Sequence, residues 1–388
     1  MNYKTVMKRK ARVIAMYLPQ FHPIPENDQW WGKGFTEWYN VAKSKPLFKG
    51  HYQPKVPTEL GFYDLRMPEI REQQAELARY AGIEGFMYWH YWFGNGKQLL
   101  ERPFNEVLAS GKPDFPFCLG WANHTWSSKT WNKEKHKDTP STLMEQTYPG
   151  IDDYVAHFYA VLPAFKDKRY ILVEGKPFFL IWDPYKFIEV SSFIDCWQKL
   201  AKENGLGGIH FVGMASSGSF KNHGKYKIAE LSKAEDNYKE VLEKGFDAVC
   251  SNGMTRANVM VQGWTKTYLH YLTQHFLNNE MITTLDQNKI NKFLFCEEDR
   301  WENVYPTLVP NFDRTPRTNK DIVYINSTPE VFKKQIEDCL LYVEKKRAEH
   351  QIIILKSWNE WGEGNYVEPD IKYGRGYLDA LRETILLD

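Results

Sequence analysis

Near the C-terminus, Glu360 and Glu363 lie three residues apart in the run Trp358-Asn359-Glu360-Trp361-Gly362-Glu363-Gly364. In an extended strand, residues at that spacing point to opposite faces, whereas a turn brings them together. Gly362 and Gly364 let the chain bend there. Two carboxyls held close cannot both ionise freely, so one keeps a proton near neutral pH. The indoles of Trp358 and Trp361 add desolvation in the same direction. An acid beside a carboxylate is the equipment for cleaving a glycosidic bond through an oxocarbenium-like transition state. The plainer alternative is a solvated turn with two surface acids, and spacing alone does not decide between them. A metal centre has little support. The eleven His form no His-x-x-x-His or His-Glu-x-x-His pattern, and the five Cys form no Cys-x-x-Cys pair. No metal and no cofactor are therefore expected.

The aromatic content points the same way. Aromatic residues are 15% of the 388, from 14 Trp, 23 Tyr and 23 Phe. Trp30, Trp31, Trp38, Trp89, Trp92, Trp121, Trp126 and Trp131 crowd the first third of the chain. Ring faces stack on the C–H faces of sugars, while Asn, His and Asp bond the hydroxyls. Some of these rings are expected simply to pack long loops. Lys plus Arg total 50 and Asp plus Glu 49, a net charge of +1. A phosphate-tracking nucleic-acid binder needs a basic surplus that this chain lacks, and an acidic disordered chain is excluded too. An oligo- or polysaccharide is the partner expected; oligomeric state is not readable.

The five Cys, at 118, 196, 250, 296 and 339, are odd in number and read as buried thiols in a reducing compartment. The basic N-terminus is followed by Val13 to Leu18, which stops at Pro19, short for a signal peptide and with no small-residue cleavage site after it. No apolar run approaches the ~18 residues of a membrane span. The expectation is a soluble cytoplasmic protein.

Positioning such a site requires a scaffold, and the chain alternates between short apolar runs and longer amphipathic ones. The strand candidates are Arg12 to Phe21, Gly85 to Phe93, Phe115 to Ala122, Pro177 to Trp182, Ile209 to Met214, Phe246 to Cys250, a weak one at Tyr305 to Val309, and Gln351 to Leu355. The helix candidates are Asp64 to Ala81, Gln98 to Ser110, Asp152 to Phe165, Phe193 to Glu203, Lys266 to Leu277, Thr328 to Arg347 and Tyr377 to Leu387. The charged stretch after Met214 does not parse. Eight strands alternating with helices predict a (β/α)8 TIM barrel, a single catalytic domain over residues 1–388. An open doubly wound sheet would carry a Gly-x-Gly-x-x-Gly turn, and none occurs. Rim insertions are expected over about 23–63 and 123–150.

Polar and aromatic residues recur at the ends of these runs. They include His22, then His90-Tyr91-Trp92, then Trp121-Ala122-Asn123-His124, then Trp182-Asp183, Ser251-Asn252, Asn311-Phe312-Asp313, and Trp358-Asn359 leading into the paired acids. In a barrel all of these converge on the catalytic mouth. Any one of them alone reads more readily as core.

The stretch Tyr17-Leu18-Pro19-Gln20-Phe21-His22-Pro23-Ile24-Pro25-Glu26-Asn27-Asp28 with Trp30-Trp31-Gly32-Lys33-Gly34-Phe35-Thr36-Glu37-Trp38 resembles the WbsX-type family. So do Leu60 to Arg66, Trp121-Ala122-Asn123, Trp358 to Gly364, and Glu368-Pro369-Asp370. That family occurs in surface-polysaccharide gene clusters and is labelled a glycosyltransferase. It is similar in turn to glycoside hydrolase family 99, the endo-acting α-mannosidases and mannanases. The resemblance implies a (β/α)8 barrel and places Glu360 and Glu363 on the family's Glu-Trp-x-Glu pair. Glu360 would be the base on the sugar's own 2-hydroxyl. Glu363 would protonate the leaving oxygen and then deprotonate water, with configuration retained through a 1,2-anhydro intermediate. Taking the strand ends and the matching blocks together, His22, Trp31, Glu37, Trp38, His90, Tyr91, Trp92, Trp121, Asn123, His124, Trp126, Asp313, Arg314, Trp358 and Asn359 are the expected substrate contacts.

Two departures stand out. The family's Trp-Ala-Asn-Glu-Asn-Trp reads Trp121-Ala122-Asn123-His124-Thr125-Trp126 here, so a carboxylate becomes His124. Its Asp-Asn-Thr reads Asp313-Arg314-Thr315, with Arg317 beyond. They suggest another sugar, or an anionic one met by Arg314. The leading expectation is a retaining glycoside hydrolase on a bacterial glycan, with endo action one option and exo the other. The alternative is a glycosyltransferase of lipopolysaccharide, O-antigen or capsule synthesis, against which stands the lack of any Asp-x-Asp. A silent glycan-binding protein is the third.

Overall fold

The computed structural model describes residues 8–128, 141–222, 228–269, 282–318 and 321–387. Trp131, and the larger part of the expected helix Lys266 to Leu277, lie outside the described residues. Eight parallel strands form the centre: β1 (Arg12–Tyr17), β2 (Gly85–Trp92), β3 (Phe117–Trp121), β4 (Lys176–Ile181), β5 (His210–Ser216), β6 (Ala248–Asn252), β7 (Val304–Leu308) and β8 (Ile352–Leu355). Each pairs with its sequence neighbour, and β8 pairs back on β1 with Arg12 opposite Ile352 and Ala15 opposite Leu355. The sheet is therefore a closed (β/α)8 barrel, as the strand count predicts.

Parallel barrel strands are covered on both faces, so their sequences run apolar without alternation. Ile352-Ile353-Ile354-Leu355 is the clearest case, with none of the four exposed. The weak seventh candidate forms at Val304–Leu308 and bonds to strands on both sides. Among the described residues, the helices that follow the strands include α1 (Pro68–Tyr80), α2 (Arg102–Ser110), α3 (Ile151–Phe165), α4 (Val190–Glu203), α5 (Ala234–Glu243), α6 (Gln287–Leu294), α7 (Pro329–Val343) and α8 (Gly376–Ile385), with a further helix, Met254–Gln262, between β6 and α6. At the start of α7, Thr328 Oγ1 accepts from the Val331 amide at 3.3 Å and Pro329 takes the first helical position. The charged stretch after Met214 resolves into β5, a short hairpin pairing Phe220–Asn222 with Ile228–Leu231, and α5. The expected helix at Gln98 starts later. Gln98–Leu99 pairs with the end of β2, and the helix begins at Arg102.

Much of the aromatic excess is core. Trp121, Trp197, Trp358 and Trp361 are among the largest fully buried side chains. The β1 run leaves the sheet after Tyr17, and the segment up to α1 climbs over the barrel mouth through two short rim helices, Pro25–Trp31 and Glu37–Lys43. No described helix is long and apolar enough to cross a membrane.

Candidate active site

Beyond β8 the chain folds back on itself. Asn359–Glu360 pairs antiparallel with Asn365–Tyr366, and Trp361–Glu363 forms a single 3-10 turn between them. Asn359 anchors this hairpin to the end of β1. Its Oδ1 accepts from the Leu18 amide at 2.8 Å, and its Nδ2 donates to Leu18 O at 3.1 Å. Trp361 turns inward, stacks on Tyr366 at 3.7 Å between centroids and donates from Nε1 to Glu368. With the intervening Trp buried, Glu360 and Glu363 both emerge on the other side and line one cavity. The turn rather than the strand governs the spacing.

That cavity has a volume of ≈ 350 Å³ and opens at the barrel mouth. Trp31, Trp89, Tyr91, Trp126 and Trp182 contribute its aromatic lining, and the charged groups facing it are Glu360, Glu363, Arg314, Arg317 and Lys356.

Arg317 organises the acids. Nη2 donates to Glu360 Oε1 at 2.7 Å, Nη1 to Glu363 Oε1 at 2.8 Å, and Nε to Glu37 Oε1 at 2.8 Å. It lies in the one-turn helix Thr315–Thr318 after β7. Asp313 fixes the start of that turn: Oδ1 accepts from the Thr315 amide and hydroxyl, and Oδ2 from His51 Nε2 and Gln53 Nε2. Gly362 is required where it stands, because a Cβ there would lie 1.5 Å from Glu37 Oε1.

Burial penalises both carboxylates, but their surroundings split them. At Glu363 the positive charges of Arg317, Lys356 and Arg314 overcome the burial and pull the carboxyl down to about 2. At Glu360 burial prevails, with Glu363 and Glu37 adding to it, and the carboxyl rises despite Arg317. Burial also lowers the pKa of His124, with Lys186 acting in the same direction, which favours the neutral ring.

A family model described as "Glycosyltransferase WbsX" matches residues 13–381. The chain belongs to the WbsX family. It is 32% identical over 383 residues, 97% of its length, to the uncharacterized protein WxcX of two strains of Xanthomonas campestris pv. campestris. It spans about half the length of those curated relatives, covering 50% of each. Among solved structures, this WbsX chain is similar to a glycoside hydrolase-like protein, with TM-score 0.57 and 14% identity over 100% of this chain and 97% of that one. It is also similar to the family 99 endo-alpha-mannosidase of Bacteroides thetaiotaomicron, with TM-score 0.53 and 14% identity, covering 96% and 95% of the two chains. At that identity the likeness is one of fold.

Of the residues singled out in the sequence, Trp31, Tyr91, His124, Trp126, Arg314, Glu360 and Glu363 line the cavity of the WbsX chain. The others sit around it or elsewhere. Glu37 is wholly buried behind Arg317. Trp38 packs against Trp361 and donates to Tyr63 O. His90 bonds to His157 of α3, Trp92 stacks on that same ring, and Trp121 donates to Trp92 O. Asn123 ties Tyr148 to Asp183, and His22 turns its Nδ1 to Pro19 O. Trp358 is core against Phe86 and Asn359 is the anchor already described. Asp313 faces a second cavity of ≈ 250 Å³, which Tyr366 of the same hairpin also lines.

Strand geometry explains the largest group of these. Along a strand, alternate side chains face the barrel axis. Trp89 and Tyr91 of β2 therefore line the cavity, while His90 and Trp92 pack outward on α3. A period of two along Trp89 to Trp92 would have selected Trp89, which the strand-end reading missed. Trp182, one of the strand-end residues, also lines the cavity, as do Lys356 and Asn27, which no sequence signal singles out, and Arg317 stands in the sequence only beyond the motif. Nothing local to Arg317 marks it, since its three partners are remote in sequence.

Proposed function

We propose that this chain is a carbohydrate-active enzyme, and specifically a retaining glycoside hydrolase on a bacterial glycan. One observation carries the reading: Glu360 and Glu363 emerge side by side, bridged by one guanidinium, into a cavity whose lining includes four tryptophans. Indoles suit the apolar faces of sugar rings, and paired carboxyls suit proton transfer at a glycosidic oxygen. Glu360 takes the proton of the substrate's 2-hydroxyl, whose oxygen attacks the anomeric carbon as the glycosidic bond breaks. Glu363 protonates the departing oxygen, then removes a proton from the water that attacks C1 and opens the 1,2-anhydro ring, while Glu360 returns its proton to the freed 2-oxygen. Two inversions give net retention. Because Arg317 keeps Glu363 ionised in the free site, this assignment requires Arg317 to give up that contact when the sugar enters.

The second reading, a glycosyltransferase of surface-polysaccharide synthesis, is favoured by the family's description and by three cations in the cavity. Both are tested by incubating the purified protein with defined oligosaccharides, and separately with nucleotide sugars plus acceptor. Sugar release that Glu363→Gln abolishes supports the hydrolase. Acceptor-dependent release of free nucleotide overturns it.

A further inference from the structure

The charged side chains lining the cavity are three cations, Arg314, Arg317 and Lys356, and two carboxylates, Glu360 and Glu363. Arg317 is committed to Glu37, Glu360 and Glu363 through hydrogen bonds. The other two cations are held more loosely, each by one long hydrogen bond. Lys356 Nζ stands 3.9 Å from Glu363 Oε2, outside hydrogen-bond range. Its other neighbours are Met254 Sδ at 3.8 Å and the ring faces of Trp182 and Phe312 at 6.0 and 5.8 Å. Arg314 Nε is buried without a hydrogen-bond partner and meets Glu363 Oε1 only at 3.5 Å, while its Nη1 reaches Asp321 at 3.5 Å. Arg314 and Lys356 thus approach the two oxygens of one carboxylate that Arg317 already binds. On the same wall stands His124, at the position where the resembled pattern has a carboxylate.

Two partly buried cations with unused donors are costly unless an anion completes them. A neutral hydroxyl satisfies one donor of an ammonium or guanidinium weakly, whereas a carboxylate accepts from both. We propose that the sugar bound beside Glu363 is acidic, a uronic acid whose carboxylate is received by Lys356 and Arg314. This rests on the carbohydrate reading of the cavity and names its substrate class. A nucleoside diphosphate fits less well, since its pyrophosphate would bring greater negative charge against Glu360 and Glu363.

The test is equilibrium binding to the wild-type chain, read by tryptophan fluorescence and saturation-transfer NMR. The probes are methyl glucuronide, galacturonide and mannuronide, each against its neutral methyl hexoside, with UDP as a further probe. The expected result is that at least one uronide binds roughly ten-fold or more tightly than its neutral counterpart. Lys356→Gln or Arg314→Gln should weaken the uronide more than its neutral counterpart and so bring that pair to near equality. Equal or stronger binding of the neutral sugars, no uronide binding at millimolar concentration, a preference untouched by both variants, or tighter binding of UDP overturns the proposal. Glu363-dependent cleavage of a neutral oligosaccharide without uronide preference overturns the substrate class and leaves the hydrolase standing. Acceptor-dependent nucleotide release overturns the hydrolase whatever the uronides do.

Discussion

Arg317 and Glu37 stand 280 residues apart in sequence and 2.8 Å apart in the fold. Glu37 is wholly buried, and its second oxygen has no hydrogen-bond partner. The rim insertion after β1 and the turn after β7 are thereby tied together directly beneath the two cavity carboxyls. Arg317 is the counter-charge for all three acids, which raises its own pKa in spite of its burial.

Replacing Arg317 should therefore expose the cost of a buried, unpaired charge. Arg317→Met is expected to lower stability by about 3–5 kcal/mol. Adding Glu37→Gln to that variant should recover part of the loss, because the charge left stranded is gone. Urea unfolding of the wild type, the single variant and the double variant measures this. A double variant no more stable than Arg317→Met would show that Glu37 is not the group left stranded.

Gly362→Ala tests the same junction from the other side. The added Cβ would sit 1.5 Å from Glu37 Oε1 and 2.9 Å from Arg317 Nε, so the ion pair has to move. The expected outcome is a folded barrel by circular dichroism with glycan cleavage reduced by about 100-fold or more, the penalty of misplacing reacting groups by an ångström. Near-normal turnover would mean that the position of Arg317 is immaterial to the reaction.

The barrel was legible because each strand is a short apolar run bounded by polar loops, and eight such runs need no long-range information to count. The acid pair was legible because Gly362 and Gly364 advertise a turn. What could not be read was which ring or charge reaches the cavity. His90 and Trp92 differ from Trp89 and Tyr91 only in the phase of β2, which depends on where the strand sits relative to the barrel axis. Asn359, Asn123 and Asp313 are polar, yet they serve as backbone anchors, because loops over a barrel mouth carry amides that need partners. Arg317 acquires its role only from partners brought together by closure of the sheet.

Glu368 provides a pH-dependent stability signature. It lies beneath the Asn359–Tyr366 hairpin, accepting from Trp361 Nε1 at 2.6 Å, Gln74 Nε2 at 2.7 Å and the Tyr63 hydroxyl at 2.9 Å. Burial outweighs these bonds and raises its carboxyl from 4.5 to about 7. Between those values the folded chain holds a proton that the unfolded chain has lost, so stability falls as pH rises. Glu368→Gln cannot titrate. The stability of wild type minus that of the variant should therefore decline by up to roughly 3 kcal/mol between about pH 5 and about pH 8. A difference independent of pH would mean that Glu368 titrates alike in both states.

The division of labour between Glu360 and Glu363 is open to a direct chemical test. General-acid assistance matters in proportion to how poor the leaving group is. If Glu363 is the acid, Glu363→Gln should still turn over an aryl glycoside with a good leaving group, while losing nearly all activity on an oligosaccharide. Glu360→Gln should be inactive on both, because attack by the 2-hydroxyl is needed whatever departs, and a 2-deoxy substrate should be inert to the wild type. The charge distribution of the free site sharpens the test, since Glu363 is pulled down and Glu360 pushed up. Lys356→Met removes one of the cations that lower Glu363, so its carboxyl rises. With Glu363 as the acid, the alkaline limb of kcat/KM then moves to higher pH, because the proton is held longer. The reverse pattern, rescue of Glu360→Gln by the good leaving group, would exchange the two roles, in line with the opposite directions in which the free site moves the two carboxyls.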